Sequence, residues 1–219
     1  MRHRIDRPRP SRVPSPLRRL VPFLSAGTAR RDVIAARLRR VRIAPPAHSR
    51  AAGSKTGRSM NFENLGLAEE LLKAVASTGY TTPTPVQQRA IPAAIAGRDL
   101  LVSSHTGSGK TAAFTLPALN RIIDRRPAPG SGPRVLVLTP TRELAQQVEK
   151  AVQTYGKALR WLNTACLVGG APMFAQIKQL QRQCDVVVAT PGRLLDHLTR
   201  RKIKLSDVEV LILDEADRM

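Results

Sequence analysis

The sequence predicts an α/β fold in which a parallel sheet is covered by helices on both faces. Three observations predict it. Short apolar runs at 100–103, 135–139, 165–168, 186–189 and 208–213 read as strands. Segments with helical spacing at 110–123, 141–159, 172–182 and 193–200 fall between them, an alternation that calls for right-handed crossovers between parallel neighbours. A glycine-rich turn follows the first of these strands and opens the first of these helices. Ligands of such sheets bind beyond the carboxyl ends of the strands, and the chemistry-bearing residues below all lie there.

Two helices are expected before the alternation begins. Leu67, Leu71, Leu72 and Val75 recur at helical spacing and stop at Gly79. A second stretch covers 84–96, with an interruption expected at Pro92. Chain length and composition agree with this plan. At 219 residues, 42% hydrophobic and 24% charged, the chain can hold one packed domain plus a tail. Its 3% aromatic content argues against recognition built mainly on aromatic platforms, and no apolar run approaches a membrane span.

The net charge of +20 is concentrated at one end. Residues 1–59 carry 16 Lys and Arg against Asp6 and Asp32, whereas the remainder holds 20 basic and 14 acidic residues. The prolines of residues 1–59 interrupt every element except a short basic helix at 29–42. Three readings fit: a disordered basic arm that holds RNA by phosphate charge, an Arg-rich transit leader, or a start assigned too early, with Met60 the true beginning. The last is favoured, for a reason given below. A secretory core at 20–26 is broken by Pro22. Cys166 and Cys184, with 17 residues between them and without His neighbours, are expected as buried free thiols in a reducing, cytoplasmic setting rather than as a disulfide or zinc site.

The turn is Ser104-His105-Thr106-Gly107-Ser108-Gly109-Lys110-Thr111. Gly107 and Gly109 let consecutive backbone N–H groups face one anion, and the helix adds its positive end at the same point. Lys110 can neutralise β and γ phosphate oxygens, and Thr111 offers a hydroxyl to Mg²⁺. Ser104 stands where the general phosphate-loop pattern has glycine. About a hundred residues later an apolar strand delivers Asp214-Glu215-Ala216-Asp217. Asp214 is placed to hold the metal, through water, and Glu215 to orient or deprotonate an attacking water.

Together, the loop at 104–111 and the Asp-Glu-Ala-Asp at 214–217 resemble the DEAD-box RNA helicase family. Phe62, Gly79-Tyr80 and Pro83-Thr84-Pro85-Val86-Gln87 resemble its Q motif, within 62–87. Pro140-Thr141-Arg142-Glu143-Leu144-Ala145, Gly169-Gly170 and Thr190-Pro191-Gly192-Arg193 resemble the RNA contacts of its first lobe. The resemblance covers 61–219 and implies a RecA-like lobe over 60–219. The opening Met60-Asn-Phe-Glu-Asn-Leu-Gly-Leu is most similar to bacterial RhlE-type members, which begin at that position; hence the preference for Met60 as the start. Ser104 is ordinary for the family and His105 is less so.

The resemblance implies ATP with Mg²⁺ as ligands and RNA as partner. Gln87 would read the adenine edge with its amide while Tyr80 stacks on the base. Pro140, Thr141, Arg142, Gly169, Gly170, Thr190, Pro191, Gly192 and Arg193 would grip sugar and phosphate at helix N-termini and a close-approach turn, with little sequence preference. Arg142 also has a plain reading, an ion pair with Glu143 or a neighbouring acid, as does Thr190, a helix cap. The run 200–204 reads as a solvated loop and Trp161 as packing.

Family members continue with a Ser-Ala-Thr motif and a second lobe, neither present in these 219 residues. The chain alone is therefore expected to bind nucleotide weakly, turn it over poorly and unwind nothing. The strand leading to that motif normally lies between the phosphate-loop strand and the acidic strand, so open edges or a gap in the sheet are expected. A DNA helicase lobe and a non-enzymatic RNA-binding remnant are the alternative functions.

Overall fold

The computed structural model describes residues 61–124 and 130–219. The expectations placed on residues 1–59, including the helix at 29–42 and the choice of start, lie outside the described residues.

A four-stranded parallel sheet forms the centre, in the order β2-β3-β1-β4, with β1 at Val135–Leu138, β2 at Thr164–Leu167, β3 at Val186–Ala189 and β4 at Val210–Leu213. Successive side chains of a strand alternate between faces. In β1 and β3, Val135, Val137, Val186 and Val188 feed one core, while Leu136, Val187 and Ala189 feed a second core on the other face. A parallel sheet covered on both sides needs such apolar runs, and each Val or Leu fully buried contributes about 1.5–3 kcal/mol.

Among the described residues six α-helices flank or precede the strands: α1 Glu69–Ser77, α2 Pro85–Ile95, α3 Lys110–Ile122, α4 Arg142–Tyr155, α5 Met173–Gln181 and α6 Pro191–Thr199. The first core takes Leu71 and Val75 from α1, Ile91 from α2, Leu116 and Leu119 from α3, and Val148 and Val152 from α4. The second takes Leu194 of α6, with Cys184 and Ile203. Trp161 packs against the first core, as expected. In the 200–204 run only Ile203 is buried.

Two expectations fail. Helix α2 continues through Pro92 without interruption. Proline removes one rung of the ladder, but Ala96 N–H still reaches the Pro92 carbonyl at 3.0 Å, and Ala90 and Ile91 anchor the helix in the core. The strand expected at 100–103 is absent except for a bridge at Leu101, which is 60% exposed. A strand survives only where a neighbour takes up its N–H and C=O groups, and this run finds no ladder. The sheet meanwhile ends at β4 with an open edge. Val210 and Ile212 pack on the first core, while Leu211 and Leu213 stand 58% and 52% exposed. Among the described residues β4 is thus an edge strand of the sheet.

Candidate functional site

All four strands point their carboxyl ends to one edge, and each delivers a segment singled out by sequence. β1 leads to Pro140, Thr141 and Arg142, β2 to Gly169 and Gly170, β3 to Thr190, Pro191, Gly192 and Arg193, and β4 to Asp214 and Glu215. The sheet order sets the acids beside β1, with β3 and β2 beyond. Acidic chemistry thus lies at one end of the edge and the helix N-termini and glycine pair along the rest.

The glycine-rich turn curls through left-handed backbone at Gly107 (φ 79°) and Gly109 (φ 87°), conformations that favour glycine. Gly109 is the N-cap of α3, so Lys110 is the first helical residue. Its Nζ donates to the Ser104 carbonyl at 2.6 Å, and the Ser104 and Ser108 hydroxyls meet at 2.8 Å. The loop is thus wrapped round its own ammonium group. Ser104, Ser108, Gly109, Lys110 and Thr111 are half-buried, whereas His105, Thr106 and Gly107 are exposed.

The start of α2 is stitched to this loop. Thr84 Oγ1 donates to the Ser108 carbonyl at 2.8 Å and accepts from the Gln87 N–H at 3.4 Å. Gln87 Oε1 accepts from the Thr84 N–H at 2.9 Å, and Gln87 Nε2 donates to the Gly109 carbonyl at 3.2 Å. Gln87 therefore serves as the third helical residue of a reciprocal capping box. One amide hydrogen and one lone pair of Oε1 remain uncommitted for a base edge. The Thr-x-x-Gln spacing of a capping box was readable in the sequence; the bonds to Ser108 and Gly109, more than 20 residues away, were not. Tyr80 is 54% exposed and near enough to Tyr155 to help raise its pKa, behind the larger effect of burial.

Asp214 and Glu215 emerge together where β4 ends. The Asp214 N–H donates to the Leu138 carbonyl at 2.9 Å, and Glu215 occupies left-handed backbone (φ 51°). Burial raises the Asp214 pKa, the Glu215 charge adds to the rise, and Lys110 opposes it. The Lys110 charge, remote in sequence, therefore bears on Asp214. Glu215 pairs with Arg218 at 3.2 Å. Thr111, Asp214 and Glu215 offer hard oxygen donors, the ligand type that Mg²⁺ prefers.

At the other end of the edge, Thr141 caps α4 by accepting from the Leu144 N–H at 3.2 Å. Thr190 occupies the N-cap of α6 with no side-chain cap bond, so the plain capping role is not the one its hydroxyl performs. Arg142 forms no ion pair with Glu143 among the described residues; its Nη1 lies 3.1 Å from where a Cβ on Gly170 would sit. Gly170 thus combines left-handed backbone (φ 75°) with a close approach that favours glycine. Arg193 Nη1 donates to the Ala171 carbonyl at 3.0 Å, tying the start of α6 to the glycine segment.

The cysteines are free, with Cys184 buried and Cys166 half-buried. Burial pushes the Cys166 thiol up to about 12, helped by Glu149, and the Cys184 thiol up to about 11, helped by Asp185.

Comparison with known proteins gives the family. A family model described as DEAD/DEAH box helicase matches residues 84–219. The chain is 49% identical over 160 residues to the ATP-dependent RNA helicase dbp2 of Schizosaccharomyces pombe, covering 72% of this chain and 29% of that protein. It is 45% identical over 159 residues to the ATP-dependent RNA helicase-like protein DB10 of Nicotiana sylvestris, covering 73% and 26%. With the human ATP-dependent RNA helicase DDX42 it shares 42% identity over 172 residues, covering 78% and 18%. The chain thus spans less than a third of each of these relatives.

Proposed function

The chain belongs to the DEAD/DEAH box helicase family, and from that premise we propose that residues 60–219 form the nucleotide-binding lobe of an ATP-dependent RNA helicase. The observation that carries the reading is the turn at 104–111, which bends through left-handed Gly107 and Gly109, opens α3 at Lys110 and folds round the Lys110 ammonium group.

The loop at 104–111 binds the triphosphate through its backbone N–H groups and the positive end of α3. Lys110 exchanges the Ser104 carbonyl for phosphate oxygens as nucleotide enters. Gln87 reads the adenine edge with its uncommitted donor and acceptor, and Tyr80 stacks on the base. The Q-motif role therefore joins base recognition to loop shape, because the same amide holds the Gly109 carbonyl. Thr111 and Asp214 would hold Mg²⁺, which when bound neutralises phosphate charge. Glu215 orients or deprotonates the attacking water.

RNA lies along the helix N-termini and glycine segment at the ends of β1, β2 and β3. The backbone of Gly169 and Gly170, the exposed Arg142 and the uncapped Thr190 hydroxyl suit sugar and phosphate rather than base edges. Two free cysteines with no disulfide between them suit a reducing, cytoplasmic setting. The narrower resemblance to bacterial RhlE-type members rests on the opening at 60–67 alone. The three relatives named above are eukaryotic and lend it no support.

Titration of a fluorescent ATP analogue with Mg²⁺ tests the nucleotide site. Lys110→Ala should weaken binding by about 10-fold or more, the order set by one charge-assisted contact. Glu215→Gln should keep binding within about three-fold while removing phosphate release. Equal affinity in wild type and Lys110→Ala would remove the proposal.

A further inference from the structure

Gln176 and His197 take no part in the chemistry above, yet both are deeply buried polar side chains, 4% and 0% exposed. Gln176 lies on α5 and His197 on α6. Gln176 Nε2 donates to the Val168 carbonyl at 2.9 Å and, more weakly, to the Ala171 carbonyl at 3.5 Å. Those two carbonyls bracket Gly169 and Gly170.

With the amide hydrogens directed at carbonyls, Gln176 Oε1 is the atom that meets His197 Nε2, at 3.1 Å. His197 must then donate from Nε2 and leave Nδ1 unprotonated. Nδ1 is buried and has no hydrogen-bond partner, so protonation there would place a donor where no acceptor waits. Burial and the charges of Arg193 and Arg200 lower the His197 pKa against the opposing pull of Asp196. One neutral tautomer is therefore held. Arg193, two residues into α6, adds the separate bond to Ala171 already described.

Apolar side chains would fill this space without the cost of burying an amide and an imidazole. What they could not do is fix the direction of two carbonyls on either side of a glycine pair. Glycine has the most conformational freedom to lose, and a segment ordered in advance does not pay that loss on binding.

We infer that Gln176 and His197 are positioning residues that lock the Gly169–Gly170 turn to α6 through the last turn of that helix, so that the segments after β2 and β3 meet an RNA backbone as one pre-formed platform. The inference rests on the RNA reading above.

Hydrogen–deuterium exchange of the full chain, read by mass spectrometry, tests it with and without a ten-nucleotide uridine RNA. In His197→Leu, amides at 168–172 should exchange about 10-fold faster, while those at 104–116 keep their rates. The RNA concentration that half-protects 168–172 and 190–194 should rise about 10-fold, the order of one residue's backbone ordering. His197→Gln, which retains a donor at similar reach, should restore both values. Gln176→Met, which removes the carbonyl bonds but leaves His197, should repeat the leucine result and serves if that variant fails to fold. Unchanged exchange at 168–172 in both disruptive variants overturns the inference. So does faster exchange with an unchanged RNA midpoint, or a glutamine variant that behaves like leucine. If RNA protects neither segment of the wild-type chain, the RNA reading itself fails, and this inference with it.

Discussion

Replacing Gly109 by alanine should damage the proposed nucleotide site in two separable ways. The residue sits at φ 87°, where any side chain costs about 1–2 kcal/mol. Its new Cβ would also press on the Gln87 amide and come within 3.2 Å of Thr84 Oγ1. Gln87 is buried and could make room only by giving up its bonds to the Thr84 N–H and the Gly109 carbonyl. Two such bonds add about 1–3 kcal/mol. The total, about 3 kcal/mol, should lower Tm by roughly 5–10 °C for a domain of this size.

Gly107→Ala is the control: φ is 79°, yet nothing lies within 4 Å of its Cβ, so only the backbone cost of about 1–2 kcal/mol applies. In a Gln87→Ala background, Gly109→Ala should fall to that same cost, leaving a coupling of about 1–2 kcal/mol between positions 87 and 109. Thermal melts of the four combinations, followed by circular dichroism, measure it. Additive effects of the two substitutions would show that Gln87 does not hold the loop, and the link between α2 and the phosphate turn would fall.

Asp214→Asn should raise Tm at pH 7, with a gain that fades as pH is lowered toward 3.8, the ordinary carboxyl value. Because the folded pKa is raised, the native state binds more protons than the unfolded chain between the two pKa values, and stability falls as pH climbs through that window. A constant or reversed difference across a pH series of melts would contradict it. Cys166 and Cys184 should resist iodoacetamide at pH 8 about 100-fold or more relative to the urea-unfolded chain, since thiols at about 12 and about 11 hold almost no thiolate; peptide mass spectrometry would read both sites. Arg134→Met should cost about 2–3 kcal/mol in urea denaturation, because buried Arg134 pairs with Glu209 at 2.7 Å and donates to the Ile122 carbonyl at 2.9 Å. A loss below about 0.5 kcal/mol would mean the pair is replaceable by water.

Much of the site was legible because its signals are local. Gly107, Gly109 and Lys110 announce a phosphate loop through spacing alone, and the apolar run into Asp214 and Glu215 announces the acids. The strand at 100–103 was misread for the opposite reason. Its residues suit a strand, but a strand is a property of two neighbours, and this segment makes a single bridge at Leu101 rather than a ladder. Pro92 was misread because helix propensity is a weak local preference that burial of Ala90 and Ile91 overrides. Gln176 and His197 gave no signal, since an isolated Gln or His carries no pattern and their partners come from other elements.

The order of residues alone determined the α/β class, the glycine-rich turn that opens α3, the acids at a strand end and the helix starts that follow β1 and β3. Each of these depends on hydrophobic periodicity or on backbone geometry within a few residues. Tertiary structure decided that Lys110 acts on Asp214, that Gln87 holds the loop, that β4 is left with an open edge and that a buried pair clamps the glycine turn. Those depend on contacts between elements far apart in the chain, and they come into being only when the sheet packs and its strand ends meet along one edge.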